Sequence, residues 1–536
     1  MSGTTTASVV RWARDSERVP LVAAVVAGGL AALTWASGWH GGDFPAALHR
    51  IDLFRSAGFT LWDSSWFGGL YTLGYSVLLA PLADLVGVGA LVAACAAVSA
   101  WAFARLLRSH FGAPSWVGAV WFAIGLAGPI AIGQLAFVLG ATLALLAVLA
   151  IAGRRRVLAA VLGVLCPLAS PVAAVLLLLV LAAWMVTIKG PGRRSLIMLG
   201  VAVAVPGLAI EVLFPQSGTM PFAATTLGGV LLASILGLWL LPRGERSLRI
   251  GAGMYGLAGL ALFLVPQAMG ANWARLGTAI AGPIVATVLW PRRRLLLAAV
   301  AVPLLLYQWI PAIGSVVKDH PDPSQDATYF SPLASYLGSQ QALLTRIEIL
   351  PTYDHWESLW ASADNLQMAR GWERQLDIAN NSLFYTPGTL DAATYQAWLD
   401  ANGVSWVALP NVSLDYSAQQ ESALVKSGLP YLTPVWQTSQ WRLWKVVGSP
   451  GLVTGPAQVV SIGTSSFELD VHQAGPVVVR LRYSRYWTPE SGRACISSTL
   501  DGWTSLEVAQ PGRLLVGTKL IGGGDGCVPG TTQPAV

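Results

Sequence analysis

The sequence predicts an α-helical polytopic membrane bundle followed by two extracytoplasmic units, a small α/β domain and a C-terminal β-sandwich-like domain. Three observations predict it. Hydrophobic residues make up 54% of the 536-residue chain and charged residues only 11%, with a mean hydropathy of +0.57, against roughly 25% charge in ordinary soluble domains. Apolar runs near the ~20 residues needed to cross hydrocarbon recur from Leu21 to Gly314. Beyond Gly314 those runs stop, and short segments bounded by Gly, Pro and Ser take over.

The net charge of +6 and pI near 9.2 give no reason for a nucleic-acid partner. The basic residues sit in short clusters between apolar runs, which is what the positive-inside rule produces. The opening "MSGTTTASVVRWARDSERVP" precedes an apolar run to Ser37 that no convincing Ala-x-Ala site closes. It reads as an uncleaved first helix with a cytoplasmic N-terminus.

Apolar runs lie near 20–37, 88–105, 114–131, 133–152, 194–214, 223–241, 249–267, 272–290 and 294–314. The stretch 157–188 is too long for one helix, and Pro167 and Pro171 in "CPLASP" divide it into a hairpin of two short ones. Arg105 with Arg108, Arg154 to Arg156, Lys189 with Arg193 and Arg194, Arg243 with Arg246 and Arg249, and Arg292 to Arg294 all face the cytoplasm under one condition. The apolar piece near 70–86, which contains Pro81 and Asp84, must lie at the outer interface rather than span. The expectation is then about eleven spanning helices within residues 1–315 of a plasma-membrane protein. The C-terminus lies outside, and the first external loop, 38–87, is long.

Residues 318–447 read as an α/β unit. "RIEILP" and "SWVALP" are strands, "LDAATYQAWLDANG" a helix capped by Asp391 and closed by Gly403, and "SAQQESALVKSG" a second helix. Residues 448–536 alternate with period two in "FELDVHQ", "PVVVRLRYS", "SLEVAQ" and "RLLVGTKLI", which predicts an all-β unit with the tail "GTTQPAV" disordered. Cys95 and Cys166 fall in apolar runs, whereas Cys495 and Cys527 fall in the polar part, where an oxidising compartment allows a disulfide.

The external loops collect the candidate functional residues. The first holds His40, Asp43, His49, Arg50, Asp52, Arg55, Trp62, Asp63 and Trp66; later turns hold Gln134, Glu211, Asn272 and Arg275. Ionisable groups at membrane depth are costly and therefore candidates for function. Asp43 precedes an apparent helix with Pro45 in its first turn, so it reads either as an N-cap or as a reactive carboxylate. Arg275 reads either as a snorkelling side chain or as a guanidinium aimed at phosphate. His40 and His49 show no HxH or HxxxH spacing, and Trp62 and Trp66 read as interfacial aromatics. Trp356, Trp360, Trp372, Tyr486 and Trp487 fit either a packed core or a sugar-stacking surface. No Walker A loop, GxSxG, HExxH or Rossmann fingerprint is present, and "GGGDG" at 522–526 is a turn with no helix after it.

The segment "GGDFPAALHRIDLFRSAGFTLWDSSWFGGLYTLGYSVLLAPLADLVG" resembles the first periplasmic loop of the GT-C superfamily of polytopic glycosyltransferases, especially its YfhO-like and PTPS-related membrane branch. The matching positions are Asp43, His49, Gly58 with Trp62, and Gly68 to Tyr71 with Pro81 and Leu82; Tyr71-Thr72 stands where the branch has tyrosine-proline. "GQLAFVLG", "ASPVAAVLL" and "GANWARLG" are further echoes, and "RIEILPTYDHW" looks like the extracytoplasmic tail of actinobacterial members.

The resemblance implies transfer of a sugar from a polyprenyl-phosphate donor to an envelope glycan or lipid acceptor. Asp43 would be the catalytic carboxylate. Arg275, with Arg50, Asn272 and Gln134, would bind the lipid phosphate. No cofactor is certain; a divalent cation, where one is used, would fall to His49 with Asp43. Two other readings stay open, a secondary transporter and a non-catalytic envelope-biogenesis scaffold that keeps the fold.

Overall fold

The computed structural model describes residues 4–216, 218–317, 321–524 and 526–527, with side chains from Glu17 onward. Residues 318–320 of the domain boundary, Asp525 of the "GGGDG" turn and the tail "GTTQPAV" lie outside the described residues. The chain divides into two compact units, one of Met1–Ala47, Gly74–Pro215 and Thr219–His320, the other of Leu48–Leu73, Gln216–Gly218 and Pro321–Val536.

The first unit is helical. Its elements are α1 (Thr4–Ala36), the start of α2 (Phe44–Ala57), α3 (Leu79–Val86), α4 (Val88–Phe111), α5 (Trp116–Gly125), α6 (Ala127–Ile132) and α7 (Leu135–Ala152). There follow α8 (Arg156–Ala169), α9 (Pro171–Thr187), α10 (Pro191–Leu213), α11 (Ala224–Leu240), α12 (Arg246–Leu264), α13 (Ala274–Leu289) and α14 (Arg294–Val317). The hairpin expected at 157–188 breaks at Ser170, whose extended backbone and side-chain acceptance from the Ala173 N–H cap α9, with Pro171 at the first helical position. Pro167 sits in the last turn of α8.

Against the expectation of about eleven spanning helices, seven among the described residues are long and apolar enough, by length and composition, to cross a membrane. They are Glu17–Ala36, Val88–Phe111, Ala113–Ile132, Leu135–Ala152, Pro191–Leu213, Arg246–Leu264 and Arg294–Val317. α8, α9 and α11 are apolar but have 14, 17 and 17 residues, and α13 has 16. At 1.5 Å per residue such helices rise only about 21–26 Å, short of the ~30 Å hydrocarbon layer.

The second unit opens with a hairpin, β1 (Trp62–Asp63) paired with β2 (Leu70–Tyr71). Its α/β layer carries β3 (Arg346–Ile349), β4 (Gln367–Met368), β5 (Val404–Pro410), β6 (Leu432–Gln437) and β7 (Trp441–Val446) in the order β4-β3-β5-β7-β6. β3 runs parallel to β4 and β5, and β5-β7-β6 are antiparallel. Its helices are α15 (Ser331–Ser339), α16 (Glu357–Ala363), α17 (Arg374–Asn380), α18 (Ala392–Asn402) and α19 (Gln419–Lys426). α18 starts in a capping box of Asp391 and Thr394 and ends on Gly403 at φ 64°, a left-handed position that glycine takes without a Cβ penalty.

The remaining strands are β8 (Val453–Thr454), β9 (Ala457–Ile462), β10 (Ser466–Val471), β11 (Gly475–Arg482), β12 (Trp487–Ser491), β13 (Ala494–Ser498), β14 (Trp503–Val508) and β15 (Gly512–Thr518). They form two four-stranded sheets, β12-β15-β10-β9 and β13-β14-β11-β8. The alternation in β10 and β11 turns Phe467, Leu469 and Val471 from one sheet and Val477, Val479 and Leu481 from the other into one shared core, so the sheets face each other as a sandwich. Cys495 and Cys527 are joined by a disulfide, while Cys95 and Cys166 are free and buried.

The sandwich core also takes in Trp62. The Ser64 N–H and hydroxyl both donate to the Thr464 carbonyl at 3.0 Å, and the Arg482 N–H donates to Gly68 O at 2.7 Å. Of the expected external loop 38–87, residues 48–73 belong to the second unit and 74–86 to the first. Trp62 and Trp66, read as interfacial aromatics, are 2% and 0% exposed, which makes them core residues of that unit.

Candidate functional site

The turn "HGGD" is shaped by close backbone approach. Gly41 donates to Ala131 O at 2.9 Å and Asp43 to Ile132 O at 3.0 Å, so the turn lies along the end of α6. A Cβ on Gly41 would stand 2.4 Å from Ser315 Oγ, and the Gly42 N–H donates to that same oxygen. Gly133, at φ 96°, completes the corner: a Cβ there would stand 2.3 Å from Phe44 N and 2.7 Å from Asp43 C. At Gly133 backbone meets backbone at a positive φ, so that position requires glycine, while at Gly41 the tightest neighbour is the Ser315 hydroxyl.

Asp43 occupies the position just before α2, and its carbonyl accepts from the Ala47 N–H at 3.4 Å. Its carboxylate faces Arg275, in the first turn of α13, at 3.8 Å. That separation is an ion pair longer than a hydrogen bond. The side chains are 36% exposed for Asp43 and 20% for Arg275. Phe137, in the first turn of α7, lies under the guanidinium at 5.1 Å from its ring centroid. Gln134 caps the start of α7 beside Gly133, and Asn272 is buried in the 3-10 turn that leads into α13.

His49 and Arg50 turn to other partners. His49 Nε2 lies 2.7 Å from Asp63 Oδ2, and its ring stacks on Trp66 at 4.3 Å. Arg50 pairs with Glu373 at 2.7 Å and lies over the Trp66 ring at 5.3 Å. Opposed by burial, the His49 imidazole and the Ser65 donors still hold the Asp63 carboxyl below its ordinary range. Within the second unit, His49, expected to hold a cation with Asp43, is partnered by Asp63, and Arg50, expected to bind phosphate, is partnered by Glu373. Among the described residues no group of three or more His, Cys, Asp or Glu is arranged to hold a metal ion. Asp52 and Arg55 form a half-exposed surface pair at 3.0 Å.

A second polar cluster, absent from the sequence reading, lies at the carboxyl ends of the three parallel strands, the edge where open α/β sheets gather ligands. After β4 comes Arg370, which donates to Asp377 at 3.1 and 2.6 Å, to Ser417 Oγ at 2.8 Å and to Glu421 at 3.4 Å. Arg374 grips Asp415 with two bonds of 3.0 and 2.8 Å. His355 lies between Glu357 at 3.1 Å and Asp415 at 3.5 Å, its ring stacked 3.5 Å from Trp372. Glu348, in β3, is 0% exposed, and neither carboxyl oxygen has a hydrogen-bond partner.

The cluster holds more acids than cations. Arg370, Arg374 and His355 face Glu348, Glu357, Asp377, Asp415 and Glu421, so neutrality in a buried site requires protons on some of the acids. Burial, with Glu421 beside it, holds the Glu348 carboxyl well above its ordinary range, and burial pushes Glu421 up to about 7. Against the same burial, Arg370 holds Asp377 low. His355 and Arg374 do likewise for Asp415. Burial opposes charge on His355, but its bonds to Asp415 and Glu357 raise it overall. The available signal was a lone glutamate inside the strand "RIEIL", flanked by apolar residues on both sides.

Of the aromatics that fit either a core or a sugar surface, Trp356, Tyr486 and Trp487 are buried, and Trp372 is committed to His355. Compared with known proteins, the chain matches no family model and no curated protein sequence.

Proposed function

We propose that this chain is a polytopic plasma-membrane glycosyltransferase that moves a sugar from a polyprenyl-phosphate donor to an envelope glycan or lipid acceptor on the outer face. One observation carries the reading: Asp43 and Arg275, 232 positions apart in sequence (275 − 43), face each other at 3.8 Å. They supply the two groups the reaction needs, a base and a phosphate-binding cation. The seven apolar helices support the membrane location, and the basic clusters between apolar runs support a cytoplasmic N-terminus.

In the proposed step Asp43 takes the acceptor hydroxyl proton as the oxygen bonds to the anomeric carbon. The bond from that carbon to the phosphate oxygen breaks, and polyprenyl phosphate leaves with the electron pair, its charge met by Arg275. A donor phosphate that draws Arg275 away would raise the basicity of Asp43 at the moment it is needed.

The test uses the full chain in detergent or nanodiscs with a panel of radiolabelled polyprenyl-phosphate sugars and envelope extract as acceptor. Asp43→Asn should abolish transfer, and Arg275→Gln should weaken retention of polyprenyl phosphate in native mass spectrometry. Full transfer by Asp43→Asn would reduce Asp43 to a helix cap.

A further inference from the structure

One end of the β-sandwich is unlike the rest of the second unit's surface. Arg482 pairs with Trp503, and Trp487 with Thr518, so the end of β11 and the starts of β12 and β14 lie together with the end of β15. The Tyr483 N–H donates to Gly502 O and the Lys519 N–H to Tyr486 O, each at 2.9 Å, which ties the 499–502 turn and the segment after β15 to the same connection. At these tips Leu500 is 95% exposed, Ile521 88% and Leu520 45%. Leu500 and Ile521 are the most exposed large aliphatic side chains among the described residues of the second unit, and exposed apolar surface gathered in one place marks an interaction site.

The polar residues of the same end are mostly cationic. Arg485 and Lys519 are exposed and Arg482 is partly exposed, against the single carboxylate of Asp501 among the described turn residues. Tyr71 packs against Tyr486 at 5.9 Å, its hydroxyl accepts from Ser484 Oγ at 3.3 Å, and its carbonyl accepts from Gln216 Nε2 at 3.1 Å. Tyr71 is two residues before Leu73, after which the chain passes into the helical unit, and the helical unit's segment ending at Pro215 immediately precedes Gln216.

We propose that this end of the sandwich is a membrane-surface anchor: Leu500, Leu520 and Ile521 enter the headgroup–acyl boundary of an anionic bilayer while Arg485 and Lys519 meet its lipid phosphates. Aliphatic tips with exposed cations at the same end suit a boundary that offers hydrocarbon beneath negative charge. A protein partner would need a broader, shaped face than two loop tips provide. The inference rests on the membrane reading of the helices and is independent of the transferase chemistry.

The test places an environment-sensitive fluorophore on full-length Leu500→Cys, Ile521→Cys and Gln510→Cys chains under non-reducing conditions. Gln510 is exposed in the turn after β14, at the opposite end of the sandwich. The chains are incorporated into nanodiscs of phosphatidylcholine with phosphatidylglycerol, with or without shallow spin-labelled lipid. Co-elution with the nanodisc is scored first, so failure of the membrane reading is seen separately. Quenching at 500 and 521 should exceed that at 510 at least threefold, and Arg485→Glu with Lys519→Glu should cut it by half or more. Equal, water-like signals at all three positions would overturn the proposal, as would protection at 500 and 521 without lipid quenching, which would indicate a protein partner.

Discussion

The Asp43–Arg275 corner and the Arg370 cluster are both made of carboxylates and guanidinium groups, yet they are built in opposite ways. At the corner the ion pair is 3.8 Å long and both side chains keep contact with solvent. In the cluster the Arg370–Asp377 contact is 2.6 Å and its side chains are 1% and 2% exposed. A loose, partly solvated pair can exchange its partner for a ligand at low cost, whereas a buried cluster whose donors are spent on its own acids resists exchange. Titratable residues gathered in one place therefore do not by themselves identify a reacting site. A longer ion pair and greater solvent exposure distinguish the corner from the cluster.

Asp43→Asn is expected to break this comparison most strongly. Transfer should fall by about 10²–10⁴-fold, while membrane insertion and the melting of the second unit stay unchanged. Arg370→Met should do the reverse, leaving transfer chemistry intact in the surviving protein while destabilising the second unit by roughly 3–5 kcal/mol, read by thermal or proteolytic unfolding. Its buried acids would lose their shared cation.

The pH dependence sharpens the contrast. Glu421 is raised from 4.5 to about 7, so its stabilising contribution is complete below pH 4.5 and is lost as pH rises toward 7. Glu348 and His355 are also raised and act in the same direction at higher pH. Asp377 and Asp415, held low, lose their contribution as pH falls below the ordinary carboxylate range. The melting temperature of the second unit should decline from about pH 5 to 8, and Glu421→Gln should flatten that decline by on the order of 3 kcal/mol. Gly133→Ala should have the smallest effect, about 1–3 kcal/mol of strain. It should appear chiefly as lost transfer, because a Cβ at φ 96° would press on the backbone that sets Asp43.

Features encoded by neighbours along the chain were the legible ones. Asp391 and Gly403 bracket α18, the stretch holding Pro167 and Pro171 divides α8 from α9, and period-two runs mark β10, β11, β14 and β15. Features that depend on distant partners were not. His49 finds Asp63 only because a two-residue hairpin folds back, and Glu348, Arg370 and Glu421 meet only because β3, β4 and β5 end at one edge. Spacing nominated Asp43 and Arg275 separately, but no local pattern could place them opposite each other. Hydropathy likewise registers apolar composition alone, and the lengths of α8, α9, α11 and α13 are settled by their caps and turns.

The hairpin at 62–71 has a consequence for biosynthesis. The partner of Ser64 is Thr464, 400 residues later, and at roughly 5–20 residues per second a ribosome needs about 20–80 s to deliver it. Throughout that interval Trp62 has no sandwich to enter, although the helices on either side of the hairpin are already made. The nascent chain must therefore hold an uncovered aromatic hairpin until its last strands arrive, which makes it a natural client for holding chaperones. A chain released before β9 and β10 would leave that hairpin as an adhesive, degradation-prone end product rather than a smaller working protein.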